Sequence, residues 1–115
     1  MPNLQELRHV GEHIVSESNG TQSREEVVVA QTGAAILSGT VMGKITASGK
    51  YKPYASGNSD GSQTAAGVLY SQLNAQTGDA KAVLHVRNCE VSSANLTGLD
   101  ANARTNLAAL GVIVR

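Results

Sequence analysis

The sequence predicts a mainly β domain with one short, late helix, preceded by a mobile N-terminal arm. Three observations carry this reading. Short β-branched or alternating apolar runs recur along the chain, separated by clusters of Gly, Ser, Asn and Asp. One segment near the C-terminus has helical spacing with a cap at each end. The leading stretch, residues 1 to about 24, is polar, and neither the helical nor the strand period lasts in it.

In the arm, Leu4, Leu7 and Val10 hint at a helical turn that Gly11 interrupts, and His13-Ile14-Val15-Ser16 has the look of a short strand. Ser16 to Ser23 is rich in turn residues and contains Asn19-Gly20. Such a segment buries too little apolar surface to offset its ordering entropy. We therefore expect residues 1–24 to form a flexible arm and residues 25–115 to form the folded domain.

From Arg24 the pattern changes. Glu25 to Gln31 is a β-branched run closed by Thr32-Gly33, and Ala35-Ile36-Leu37 is a brief apolar piece. Thr40 to Thr46 reads as a strand in which Gly43 marks a bulge or a close backbone approach. Ala47 to Lys50 is a turn. Tyr51 to Tyr54 returns as an edge segment, since Pro53 has no N–H to donate. Ala55 to Ser62 is a loop, Ala65 to Tyr70 a buried strand, and Gln76 to Asp79 a turn. Lys81 to Arg87 is the clearest strand, apolar on both faces near its centre, and Cys89-Glu90-Val91 continues it or turns a corner. Asp100 is the expected helix N-cap. Leu99, Ala103, Leu107 and Leu110 fall on one face, Gly111 sits where a left-handed C′ residue belongs, and Val112 to Val114 is a terminal strand.

Composition narrows the function. A chain of 115 residues is one domain by default. It has no Trp and no Phe, and only three Tyr, so its core must come from Val, Leu and Ile. A core this modest favours burying further surface between copies. The formal net charge is zero and no Lys/Arg cluster appears, which argues against nucleic acid as a partner. No apolar run approaches the roughly 18 residues of a spanning helix, so a membrane role is not expected, and the first residues lack the pattern of a signal peptide. Cys89 has no second cysteine to pair with, which suits synthesis in a reducing cytosol.

The candidate chemical sites are weak. His9 and His13 are four apart around Glu12, but Gly11 breaks the helix that such a metal pair needs. Cys89 with His85 is a thin case for a nucleophile and base, because four residues of extended chain hold them apart. Asp60, Asp79 and Asp100 are explained by turn and cap chemistry. Gly39 to Lys44 imitates a phosphate loop only superficially, since Ile45 stands where a hydroxyl residue is required. No cofactor is implied. A small β-barrel carrier or binding module, with Lys44 or Lys50 presented at a hairpin tip, is the alternative reading.

The order of segments resembles the lambda-type head decoration proteins of tailed bacteriophages. The resemblance is carried by Gly11-Glu12-His13-Ile14-Val15-Ser16-Glu17, Ser23-Arg24-Glu25, Gly39 to Ile45, and Tyr51-Lys52-Pro53-Tyr54. It continues through Asp60 to Tyr70 and the tail Leu107 to Arg115. It covers most of the chain. His13 departs from the aromatic expected at its position. The resemblance implies a β-clip-like domain, a homotrimer, no enzymatic activity, and a place on the outer surface of the virion capsid after assembly in the host cytoplasm. The major capsid protein would be the partner. On this reading the arm adds a strand to a sheet edge of the capsid, with Glu12, His13, Ile14, Val15, Ser16 and Glu17 as the added residues. The trimer then holds the expanded head against the pressure of packaged DNA.

Overall fold

The computed structural model describes residues 13–17 and 23–115. Its main body is a closed five-stranded barrel built from β2 (Arg24–Thr32), β3 (Val41–Lys44), β4 (Tyr51–Pro53), β5 (Ala65–Leu69) and β6 (Thr77–His85), in the order β2-β4-β3-β5-β6. A second sheet contains β1 (Ile14–Glu17), β7 (Cys89–Val91) and β8 (Val112–Val114), ordered β1-β7-β8. Among the described residues there is one α-helix, α1 (Ala101–Leu110), which precedes β8. The mostly β class with one short late helix is therefore as the sequence indicates.

Each barrel strand follows from local pattern. In β2, Val27, Val29 and Gln31 point inward while Glu26 and Val28 face out, the two-residue period of a half-buried strand. It pairs antiparallel with β6 along its whole length, from Arg24↔His85 to Thr32↔Thr77. That ladder draws residues 77–79 into β6, where the sequence suggests a turn. Gly78 permits this with φ +108°. β3 and β4 form a hairpin in which Lys44 faces Tyr51 and Met42 faces Pro53. β4 is not an edge. It lies between β3 and β2, but its one register pair to β2 is Val29↔Tyr51, so the missing N–H of Pro53 lies beyond that contact.

Both features expected of Gly43 are present. The β3–β5 register shifts between Met42 and Gly43, and a Cβ at this position would run into the backbone of Ser62. Along β3, successive side chains enter different cores. Met42 joins Val27, Val29, Leu69 and Leu84 inside the barrel, while Val41 joins Val68, Val91, Leu107 and Val112 between barrel, helix and second sheet. β5 divides in the same way, with Val68 and Leu69 on opposite sides.

The helix caps are those indicated by the sequence. The Asp100 carboxylate accepts the Ala103 N–H at 2.8 Å, and Gly111 closes the helix at φ +91°. Ala103 and Leu107 are fully buried, but Leu110 is 42% exposed, so the apolar face ends one turn earlier than its spacing suggests. At Asn88 the chain takes a left-handed conformation, φ +50°, and turns the corner from the barrel into β7.

Within the segment expected to form the arm, β1 is a paired strand. Ile14–Glu17 pairs antiparallel with the protein's own β7, through Ile14↔Val91, Ser16↔Glu90 and Glu17↔Cys89. His13 and Ser23, on either side of β1, are buried. Among the described residues, no helix is long and apolar enough to cross a membrane.

Candidate functional site

Of the residues expected to engage a partner, Glu12 lies outside the described residues, as does His9. The others form β1 and its approach. The register of β1 against β7 shifts between Ile14 and Ser16, as at a β-bulge. Ile14 packs against the helix-side core, Val15 is 55% exposed, and Ser16 is exposed beside it. The carbonyl of His13 accepts the Ser92 N–H at 2.7 Å, which fixes the start of the strand. The Ser16 hydroxyl donates to Glu90 at 2.6 Å, and Arg115 pairs with the same carboxylate. These two bonds hold the Glu90 carboxyl below its usual range, the Ser16 contact contributing most. Val15, Ser16, Glu90 and Ile113, itself 49% exposed, thus make an outward face with apolar residues beside a polar centre.

Glu17 ends β1 and does a different job. Its carboxylate accepts from Arg24 Nη2 at 2.8 Å and Nε at 3.3 Å, and lies 2.6 Å from His85 Nε2. A carboxylate is an acceptor only, so Nε2 of His85 carries the proton. The Arg24 bonds hold the Glu17 carboxyl below its usual range, with His85 adding to the effect against the opposing pull of burial. His85 is fully buried. Burial pushes its pKa down, and outweighs the opposite influence of Glu17. The Arg24 guanidinium sits 4.2 Å from the Tyr70 ring centroid, and the Tyr70 and His13 rings stand edge-on to His85 at 5.3 and 5.9 Å. Stacking and cation–π contacts of this kind suit a guanidinium held in a forked ion pair.

The remaining sequence candidates have structural roles. Cys89 is buried, and its thiol is pushed up to about 11, first by burial and then by the Glu17 charge. At neutral pH it is a thiol, and the thiolate is the reactive form. Asp60 caps its own turn, accepting from the Ser62 N–H at 3.1 Å and the Ser62 hydroxyl at 2.5 Å, and pairs with Lys52. These bonds hold its carboxyl far below the usual range. Asp79 pairs with Lys50 at 2.9 Å, which ties down one of the lysines of the carrier alternative. Lys44 ends β3, 5.9 Å from the Tyr51 ring centroid. Gly39 to Lys44 leads into and forms β3 rather than opening a helix, so the phosphate-loop likeness is only a string match. Among the described residues, no group of three His, Cys, Asp or Glu side chains is placed to hold a metal ion.

Two contacts went unread in the sequence. The Tyr54 hydroxyl donates to Asp100 at 2.9 Å, tying the end of β4 to the helix N-terminus. No local signal marks it. The Glu17–His85 contact had a partial signal. A histidine set between Leu84 and Val86 in the most apolar strand is headed for burial, and a buried polar ring calls for a partner.

Nothing in this arrangement assembles a catalytic set. It gives a strand with one committed edge, an outward face of mixed polarity, and at its base a part-buried ion pair that touches a buried histidine. Comparison with curated proteins returns no match. A family model described as bacteriophage lambda head decoration protein D matches residues 3–112, nearly the whole chain. The chain belongs to the bacteriophage lambda head decoration protein D family, a family of structural proteins of the phage head.

Proposed function

We propose that this protein binds the outer surface of the expanded phage head as a homotrimer and stabilises the shell against the pressure of packaged DNA. The major capsid protein is the partner, and assembly takes place in the host cytoplasm. Neither nucleic acid nor membrane is engaged. The observation that carries the reading is β1. It is an edge strand, paired to β7 on one side, with Val15 exposed on its outward face. An edge strand offers main-chain donors and acceptors to another chain.

Glu12 to Glu17 are the residues we assign to the capsid contact, in a modified form. Because Ile14–Glu17 is already committed to β7, it contributes its outer edge and the Val15 side chain rather than a wholly free strand. The chain before residue 13 extends the same contact. A single such contact is weak, since ordering a segment on its partner consumes much of the interaction. Three contacts on one trimer act together and raise apparent affinity by about 100- to 10,000-fold when geometry lets them engage at once.

The test is co-sedimentation of the purified protein with expanded and unexpanded heads. The reading expects saturable binding to expanded heads and greater resistance of those heads to disruption. Absence of binding to either form contradicts it.

A further inference from the structure

His85 is the most enclosed titratable group at the junction between the barrel and β1, and its two ring nitrogens are treated unequally. Nε2–H donates to Glu17 on β1. Nδ1 is buried with no hydrogen-bond partner among the described residues. In the neutral ring Nδ1 is a bare acceptor, but a second proton there creates a buried donor with nothing to receive it.

Among the described residues, the charged and titratable groups beside the ring are Glu17 on β1, His13 just before it, Arg24 on β2 and Tyr70 just after β5; Cys89 on β7 lies opposite Glu17. Glu17 favours an imidazolium. Its charge, however, is already answered by Arg24, which bonds it twice and repels a cation at His85. The Tyr70 and His13 rings stand T-shaped to His85, and neither is hydrogen-bonded to its Nδ1. Desolvation therefore wins, and the closed structure resists the second proton.

The elements around His85 are not held equally. Its main chain is laddered on both sides, to Arg24 of β2 and Val68 of β5. The strand carrying its hydrogen-bond partner is a bulged edge strand paired on one side. Local opening takes the element with fewest backbone constraints. We propose that the Glu17–His85–Arg24 contact is an acid-released latch, which holds β1 on the body at neutral pH and lets residues 13–17 detach when His85 becomes doubly protonated.

The sign follows from linkage. His85 is harder to protonate in the closed form than at its ordinary value of 6.5. The open form therefore binds more protons as pH falls below that value, and opening grows about tenfold per pH unit until the closed form titrates too. Glu17 has a lowered pKa and adds to opening only below its ordinary 4.5. Detachment would free the residues of β1 for use by a partner, and it is a property of the protein alone, independent of capsid binding.

The experiment is amide hydrogen exchange on the full-length protein between pH 7.5 and 5, corrected for intrinsic exchange rates. Peptides covering residues 13–17 and 77–85 are compared. Protection of 13–17 is expected to fall about tenfold per pH unit through part of the range below 6.5, while 77–85 stays protected. In His85→Gln, whose amide can still donate to Glu17 but does not titrate, the fall should vanish. Ring ¹⁵N shifts of wild-type His85 provide a readout that needs no variant: while the closed form dominates they should report a neutral ring that titrates below its ordinary 6.5. Flat protection of 13–17, parallel loss in 77–85, an unchanged slope in His85→Gln, or a His85 ring already doubly protonated at pH 7.5 would each overturn the latch.

Discussion

The barrel and the three-stranded sheet are made from the same kinds of residue but held in different ways. Every barrel strand has a strand neighbour on both sides, and the β2–β6 ladder alone runs the full length of two nine-residue strands. In the second sheet only β7 has two strand neighbours, and its pairings to β1 and β8 extend over three register pairs each. The barrel closes on its own main chain. The sheet depends on what its side chains reach: Val91 and Val112 in the helix-side core, Glu90 with Ser16 and Arg115, and Glu17 with His85. Closure removes edges, so the open edge belongs to the region held by side chains. That is where a partner strand can be received, and where a change of protonation has something to release.

The largest effects should come from the two cores. Leu84→Ala in the barrel and Leu107→Ala under the helix each remove a fully buried side chain and should cost about 2–5 kcal/mol. Because β3 and β5 contribute to both cores, each variant should still unfold in one thermal transition, displaced as a whole. Two separated transitions in either variant would show that the regions are independent. Asp100→Ala acts on one region. It removes the helix cap and the acceptor of the Tyr54 hydroxyl, and a loss of about 0.5–2 kcal/mol in urea unfolding is expected from the cap. Val15→Ser should be the mildest, within about 0.5 kcal/mol of wild type in the same measurement, since Val15 is exposed. If the outward face of β1 is used as proposed, this variant should nonetheless bind heads more weakly, which separates surface function from stability.

How much of this was legible in the sequence depended on the distance over which each feature is decided. The helix came through complete, because Asp100 and Gly111 set its ends locally. β2, β5 and the centre of β6 came through because burial imprints an alternating or continuous apolar pattern on neighbouring residues. What did not come through is settled between remote segments. Ile14 meets Val91 across most of the chain, and nothing near Ile14 announces it. Without that pairing a polar, turn-rich stretch reads as a free arm. Likewise, Thr77 to Asp79 carries turn residues, and only the length of β2 opposite makes them strand. Tyr51–Pro53 looks like an edge because Pro53 lacks its N–H, whereas the barrel needs only Tyr51 to meet β2. The division into two cores could not be read from one strand at a time, since it rests on which neighbours each face of β3 and β5 meets. For the segment we assign to the capsid contact, the sequence did not reveal that Ile14–Glu17 is a strand already paired on one side.

The most direct test of the account is removal of residues 1–12, leaving β1 and the Glu17–His85 contact in place. Cutting further would uncover His85 and Cys89 and confuse loss of contact with loss of fold. The account predicts that the shortened protein keeps its circular dichroism spectrum and its oligomeric state in analytical ultracentrifugation, yet co-sediments with expanded heads more weakly than the full-length chain. Binding equal to that of the full-length protein would contradict the claim that the chain before residue 13 extends the contact made by β1.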